Sequence, residues 1–160
     1  MRKSIFIGSF ILLACASCHK APMSNSQLQL KLNNVSYLFD SMKVWVDTIN
    51  NFRILSIDAK SRSENIYLSA SLQSNVPLMT GAYSHLNPQP QEFIVIGFVV
   101  GVTQGQNEYI YTVEGAPFVF TIQNSVSNTI QGSFSGKISQ VIGTETPDIN
   151  GSFNLPYQYR

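Results

Sequence analysis

The residues best suited to covalent or redox chemistry are two cysteines near the N-terminus. Cys15 and Cys18, followed by His19, form a C-x-x-C-H pattern, which attaches c-type haem in some proteins and supports thiol redox chemistry in others. A haem protein would need a helical pocket and an axial methionine, and no segment of this chain has helical periodicity. We therefore expect no cofactor.

The same cysteines also end a secretory signal. A basic start precedes an apolar run of 11 residues over 4–14, which is shorter than the about 20 residues that span a bilayer. The last three residues of this run and the cysteine after it, Leu12-Leu13-Ala14-Cys15, have the form of a bacterial lipobox, in which the cysteine is lipidated and becomes the first residue. Cys15 is the favoured acceptor, and Cys18 is the alternative, with simple cleavage after Ala16 as a third reading.

These patterns divide the chain into three parts. The signal peptide covers 1–14, or 1–17 if Cys18 is the acceptor; residues 15–26 form a lipidated tether, and 27–160 form a single β-domain. Acyl chains would anchor the protein to the membrane, at about 0.8 kcal/mol per buried CH₂. Since no acidic cluster follows either cysteine, we expect the outer membrane, facing the periplasm.

Other candidate catalytic groups are few. The folded part of the sequence holds a single histidine, His85, so neither a catalytic triad nor a zinc site is recognisable. Glu108 and Glu114 flank one strand with five residues between them, which is farther apart than the about 5–10 Å that a glycosidase needs. The four aspartates form no calcium-binding loop pattern. The sequence therefore predicts a protein that is not an enzyme and has no metal site.

Aromatic residues are the better indication of binding. Trp45, Tyr67, Tyr109 and Tyr111 lie in strands beside polar residues, and such rings can stack on sugars or hold a peptide. Such rings are more often cross-strand packing pairs or part of the second face of a closed sandwich. An envelope protein or a glycan is the expected partner.

Two short triplets suggest modification. Asp40-Ser41-Met42 and Asp47-Thr48-Ile49 have the form of O-glycosylation acceptors in some bacteria. Ser41 and Thr48 are therefore candidate attachment sites.

Composition narrows the class of protein. Ser, Thr, Asn and Gln make up 52 of the 160 residues, only 12% of the chain is charged, and the net charge is +1. A nucleic-acid-binding protein would need a basic patch, and a disordered chain would have fewer apolar residues than the 44% found here. We expect a folded domain that binds no nucleic acid.

Alternation of polar and apolar residues predicts the elements that position these side chains. Gln27 to Leu32 and Ile66 to Leu72 alternate cleanly, which is typical of half-buried strands. Asn33-Asn34 and Asn50-Asn51 are turn signals. The prolines of 74–91 argue against a central strand there. Phe93 to Val102 is apolar along its whole length, which indicates a strand that is buried on both faces or bent at its glycines.

These segments together give roughly ten strands. Strands in this number, joined by short polar turns, imply an antiparallel β-sandwich or a closed β-barrel.

One motif occurs twice. Ile130-Gln-Gly132-Ser-Phe134 recurs as Ile149-Asn-Gly151-Ser-Phe153. Isoleucine, glycine and phenylalanine then share one face of each strand, and a glycine beside a ring lets that ring lie over the backbone. The repeat predicts two similar strands, adjacent in a sheet, whose glycines serve packing.

Four features together resemble a known family. They are the lipobox, the opening strand Leu30 to Tyr37, Thr80-Gly81-Ala82-Tyr83 before a proline-rich loop, and the Ile-x-Gly-Ser-Phe pair. This combination is similar to small all-β lipoproteins of Bacteroidota-type bacteria, a family catalogued as a domain of unknown function. The resemblance implies a fold and a compartment and brings no catalytic residues. A carbohydrate-active hydrolase, or a carrier with a barrel interior around Phe98, Val100, Phe118 and Phe120, are the alternative functions.

Overall fold

The structure, a computed structural model, describes residues 26–84, 94–113, 117–126 and 128–160. Strands make up 74% of these described residues, which contain no helix. The described residues thus offer no helix with the length and apolarity to cross a membrane. Cys15, Cys18, His85 and Glu114 lie outside the described residues, so the predictions that concern them stay predictions.

Within the described residues, thirteen strands form two sheets that pack face to face. The six-stranded sheet has the order β2-β1-β12-β10-β9-β6. Its strands in chain order are β1 (Gln27–Leu32), β2 (Val35–Leu38), β6 (Gly81–Ser84), β9 (Phe118–Val126), β10 (Thr129–Lys137) and β12 (Asp148–Pro156).

The seven-stranded sheet has the order β11-β8-β7-β5-β4-β3-β13. Its strands are β3 (Ser41–Ile49), β4 (Phe52–Ser61), β5 (Ile66–Ser74), β7 (Ile94–Gln104), β8 (Asn107–Thr112), β11 (Ser139–Gln140) and β13 (Gln158–Tyr159). The short β13 pairs in parallel with β3, and the other described strand pairs are antiparallel. The prediction of a sandwich is confirmed, and the alternative of a closed barrel is wrong, because each sheet ends in edge strands.

The core lies between the sheets and follows from alternation. Ile66, Leu68, Ala70 and Leu72 of β5 are buried, and the residues between them face outward, as the sequence predicts. Aromatic rings fill the middle: the centroid of Phe98 lies 4.7 Å from that of Phe118 and 5.0 Å from that of Phe134. Together with buried Val100 and Phe120, these rings occupy the region that a carrier would keep open.

The repeated motif behaves as its spacing predicts. β10 and β12 are adjacent, with Gly132 opposite Phe153 and Phe134 opposite Gly151. A Cβ added at Gly151 would meet the ring of Phe134 and the carbonyl oxygen of Gln29, and one added at Gly132 would meet the ring of Phe153. Each ring therefore lies over the other strand's glycine, and these glycines serve packing.

Two hairpin turns are set by asparagine pairs. Asn33-Asn34 joins β1 to β2 with φ values of 46° and 68°, and Asn50-Asn51 joins β3 to β4 with 49° and 69°. Positive φ at both central positions defines a two-residue turn whose twist matches that of the two strands it joins. Asparagine tolerates this backbone conformation better than most residues do.

Several sequence predictions need correction. The proline-rich middle contains one strand, β6, that its residues did not indicate. β6 lies at a sheet edge, where prolines nearby do not prevent a strand from forming. β7 is not buried on both faces, because Val95 is 40% exposed. Its glycines make room for neighbours: a Cβ at Gly101 would collide with the ring of Tyr67, and one at Gly97 would meet Ser71 Oγ at 2.6 Å.

The two ends of the sandwich differ. β1 starts at Gln27 and runs to the Asn33-Asn34 turn, a rise of about 17 Å for six strand residues. We call the end where β1 starts the proximal end. The opposite end holds the Asn33-Asn34 turn and the β7–β8 turn at Gly105, and we call it the distal end.

Candidate functional site

A cleft opens between the two sheets at the distal end. Its volume is about 240 Å³. It is lined by two hairpins and one loop residue, namely Leu32, Asn33, Val35, Tyr37, Val102, Gln104, Tyr109, Tyr111 and Glu145. We call it the tyrosine cleft, after Tyr37, Tyr109 and Tyr111.

Strand alternation turns the three tyrosines toward this cleft. Tyr37 is opposite Leu30 in the β1–β2 hairpin, and Tyr109 and Tyr111 are opposite Val102 and Val100 in the β7–β8 hairpin. Their partners are inward-facing residues, so the tyrosines face inward too. At the end of a sandwich this orientation places a ring on the core and a hydroxyl near water.

Tyr111 belongs both to the core and to the lining of the cleft. The residue is only 7% exposed, and its hydroxyl donates a hydrogen bond to Glu145 Oε2 at 3.1 Å. Burial, the hydrogen bond to Glu145 and the charge of that carboxylate raise the pKa of Tyr111 to about 12. The phenol is therefore neutral at physiological pH.

The loop that follows β11 holds Glu145 in place. The Gln140 N–H donates to the carbonyl of Glu145 at 2.9 Å, and the Val141 N–H donates to the carbonyl of Ile110 at 2.8 Å. One bond closes the loop and the other ties it to β8. Since Gln140 also pairs with Tyr111, the carboxylate lies beside the tyrosine hydroxyl.

A second carboxylate, that of Glu64, acts on one of the cleft tyrosines, Tyr37. The Leu38 N–H donates to Glu64 Oε2 at 2.8 Å. Burial, and then the charge of Glu64, raises the pKa of Tyr37. Tyr37 therefore also stays protonated.

The aromatic residues predicted from the sequence do not form one surface. Tyr109 and Tyr111 lie in the cleft, whereas Trp45 and Tyr67 lie on the outer face of the seven-stranded sheet. The guanidinium of Arg160 lies 4.4 Å from the ring centroid of Trp45. Tyr67 covers Gly101, and burial and then the charge of Glu108 raise its pKa. Each ring thus has a contact within the protein, and its predicted role in ligand binding stays a prediction.

Two cleft residues were missed by sequence reasoning. Tyr37 belongs to the opening strand motif, but nothing local shows that it meets a hairpin more than sixty residues further along the chain. Glu145 lies in the irregular segment Thr144-Glu145-Thr146-Pro147, which has no periodicity to indicate its direction.

The candidate modification sites lie on the surface. Ser41 and Thr48 are both exposed at the two ends of β3. The Thr48 hydroxyl accepts a hydrogen bond from the guanidinium of Arg53, and the Thr48 N–H donates to Asp47 Oδ1 at 2.7 Å. Their glycosylation stays a prediction.

A shallow trough of about 530 Å³ lies on the outer face of the six-stranded sheet. The side chains on this face are polar, namely Gln29, Lys31, Ser36, Ser133, Ser135, Asn150 and Ser152, apart from Leu38, which is 58% exposed. These residues stand side by side on neighbouring strands, as expected of a solvated sheet face. The tyrosine cleft has the more varied chemistry and is therefore the stronger candidate.

Within the described ranges, no three His, Cys, Asp or Glu side chains group closely enough to hold a metal ion. Comparisons with protein-family models, with curated proteins and with solved structures found no match. The resemblance to small all-β lipoproteins therefore stays a prediction, and the site must be interpreted from its own geometry.

Proposed function

We propose that this protein is a lipid-anchored, non-enzymatic binding protein of the bacterial cell envelope, with the tyrosine cleft as its binding site. The observation that carries the proposal is the position of the cleft. It opens at the distal end, and β1 begins at the proximal end. A tether attached before Gln27 would leave the cleft facing away from the membrane.

The chemistry of the cleft supports binding. Three phenols, two amides and one carboxylate surround a space bounded by apolar side chains. Ligand sites combine an apolar wall with a few polar groups that orient the ligand in this way. An envelope protein or a glycan segment is the partner class that fits an anchored protein with an outward-facing site.

Anchoring is tested by fractionation of cells. Replacing Cys15 with Ser should move the protein from the membrane to the soluble fraction, because the acyl chains are lost. Release only by Cys18→Ser would assign the lipid to the second cysteine. If both single variants and the double variant stay in the membrane fraction, the lipid anchor is wrong.

Binding is tested by photo-crosslinking in living cells. A benzophenone amino acid placed at Gln104, which lines the cleft, should yield adducts with an envelope component. The matched control carries the same probe at Ser69, which is exposed on the outer face of the seven-stranded sheet. Equal adducts from both positions, or none from position 104, would contradict the proposed site.

A further inference from the structure

We propose that the tyrosine cleft binds an organic cation, an alkylammonium or guanidinium group, with Glu145 as its counter-ion. The inference rests on the proposed binding function and names the class of ligand. It follows from the charge, the hydrogen-bonding groups and the size of the cleft.

Charge is the first argument. Among the described residues that line the cleft, Glu145 alone carries a formal charge at neutral pH, and that charge is negative. Glu64 adds a second carboxylate close to Tyr37. An anionic ligand would be repelled there, while a cation gains Coulomb energy that a neutral ligand lacks.

Hydrogen-bonding capacity is the second argument. An ionised carboxylate accepts up to about four hydrogen bonds, and one of those positions on Glu145 is taken by the Tyr111 hydroxyl. An ammonium group donates three hydrogen bonds and accepts none. The remaining oxygen lone pairs of Glu145 and the phenol oxygens therefore match a donor-only ligand.

Aromatic rings are the third argument. Tyr37, Tyr109 and Tyr111 all line a space of about 240 Å³. Tyrosine rings attract cations through the electron-rich faces of the ring, and the attraction grows when water is displaced. Because sites for drug-sized ligands have about 300–1,000 Å³, this smaller cleft suits a single amine-bearing chain.

The cation can belong to a free amine or to a side chain of a polypeptide. Val141 and Ile142, which precede Glu145 in the same loop, are 57% and 88% exposed. A polypeptide could cover these apolar side chains while its lysine or arginine enters the cleft. A free amine would leave them uncovered, so the two sources predict different affinities.

The test is a titration of the full mature protein in uncharged detergent, followed by NMR of the backbone amides. We expect n-butylammonium to produce saturable shifts at the residues that line the cleft. The probe 1-butanol has the same carbon chain without the charge and should produce none, and sodium chloride at matched ionic strength controls for screening. Equal shifts with butanol would overturn the assignment of a cation.

Two variants identify the counter-ion. Glu145→Gln keeps a hydrogen-bond acceptor for Tyr111 but removes the charge, and it should weaken butylammonium binding by about tenfold or more. The matched control is Asp148→Asn, which removes a carboxylate outside the cleft lining, where it pairs with Lys137 at 2.9 Å. Unchanged affinity in Glu145→Gln, or equal losses in both variants, would overturn the proposal.

A blocked Gly-Lys-Gly peptide separates the sources. Tighter binding of the peptide than of butylammonium points to a polypeptide partner, and equal affinity points to a free amine. Binding of a neutral sugar in place of the ammonium would overturn the cation while the binding function stands. Failure of crosslinking from position 104 counts against that function itself, so the two failures are distinguishable.

Discussion

At the scale of single residues, Tyr111 connects stability with the chemistry of the cleft. Its ring belongs to the core and its hydroxyl bonds to Glu145. The same contacts that raise its pKa also hold the loop carboxylate at the cleft. The ionisation of this residue should therefore be visible in the stability of the whole protein.

The first prediction concerns alkaline pH. The pKa of Tyr111 is about 12 in the folded protein, against about 10 in an unfolded chain. Because the folded state holds the phenol proton more tightly, this contribution to stability is full below about pH 10 and is lost as the pH rises through about 12. We expect the free energy of unfolding to fall across that interval and to fall less steeply in Tyr111→Phe.

Denaturant unfolding between about pH 9 and pH 12 measures this slope. Glu145→Gln serves as the comparison, because it keeps an acceptor but removes the charge that contributes to the shift. Its slope should lie between those of the wild type and Tyr111→Phe. Identical slopes in all three proteins would contradict the coupling of Tyr111 to stability.

The second prediction concerns Gly151. A Cβ at this position would lie 2.5 Å from the carbonyl oxygen of Gln29 and 2.6 Å from Phe134 Cε2. Since one of these neighbours is backbone in a paired strand, it cannot move away easily. Gly151→Ala should lower the free energy of unfolding by about 1–3 kcal/mol and the melting temperature by several degrees.

Gly81→Ala is the matched control, because a Cβ at Gly81 meets no atom of the described residues within 4 Å, its own chain neighbours aside. Calorimetry of both variants should show a loss at position 151 and little change at position 81. A stable Gly151→Ala protein that has lost binding at the tyrosine cleft would instead assign the Gly-Ser-Phe strands to the site.

At the scale of elements, hairpin turns determine how the strands enter the sheets. The turns at Asn33-Asn34 and Asn50-Asn51 have the same pattern of positive φ values. The first turn forms part of the rim of the tyrosine cleft, and the second lies at the proximal end. The second turn can therefore be changed without touching the candidate site.

The third prediction concerns Asn51, with φ of 69°. Asn51→Gly should leave the free energy of unfolding unchanged or raise it slightly, because Asn-Gly is the preferred pair for this turn. Asn51→Val should lower it by about 1–2 kcal/mol, because a β-branched residue is disfavoured in the left-handed region. Equal stabilities of the two variants, measured in urea, would show that the turn does not have this conformation in solution.

At the scale of the whole molecule, a shared aromatic cluster joins the two sheets. Phe98 comes from the seven-stranded sheet, and Phe118 and Phe134 come from the six-stranded sheet. All three are almost completely buried. Loss of one ring should therefore weaken both sheets together.

The fourth prediction is that Phe98→Ala lowers the free energy of unfolding by about 3–5 kcal/mol. Val95→Thr, at a partly exposed position of the same strand, should stay within about 0.5 kcal/mol of the wild type. Urea unfolding monitored by circular dichroism would measure the free energy, and NMR of backbone amides would follow the two sheets separately. A loss confined to the seven-stranded sheet would show that the sheets unfold independently.

The fold class could be predicted because its signals are local. The alternation of polar and apolar residues predicted the first and last residues of β1 as the structure has them, and it predicted which residues of β5 face the core. The asparagine pairs marked two turns, and the spacing of Ile, Gly and Phe marked the face shared by β10 and β12. Each of these features depends on neighbouring residues along the chain, and so it can be seen in the sequence itself.

Only the tertiary structure decided which distant segments meet. β1 pairs with β12, β13 joins β3 in parallel, and Tyr37 meets Tyr109 and Tyr111 across two sheets. These contacts depend on sheet order and on packing between sheets, which leave no periodic signal. Glu145 reaches the cleft through an irregular loop held by backbone hydrogen bonds. The candidate site therefore forms only when the two sheets pack together, because that packing brings the carboxylate of Glu145 and the three tyrosines to one cleft.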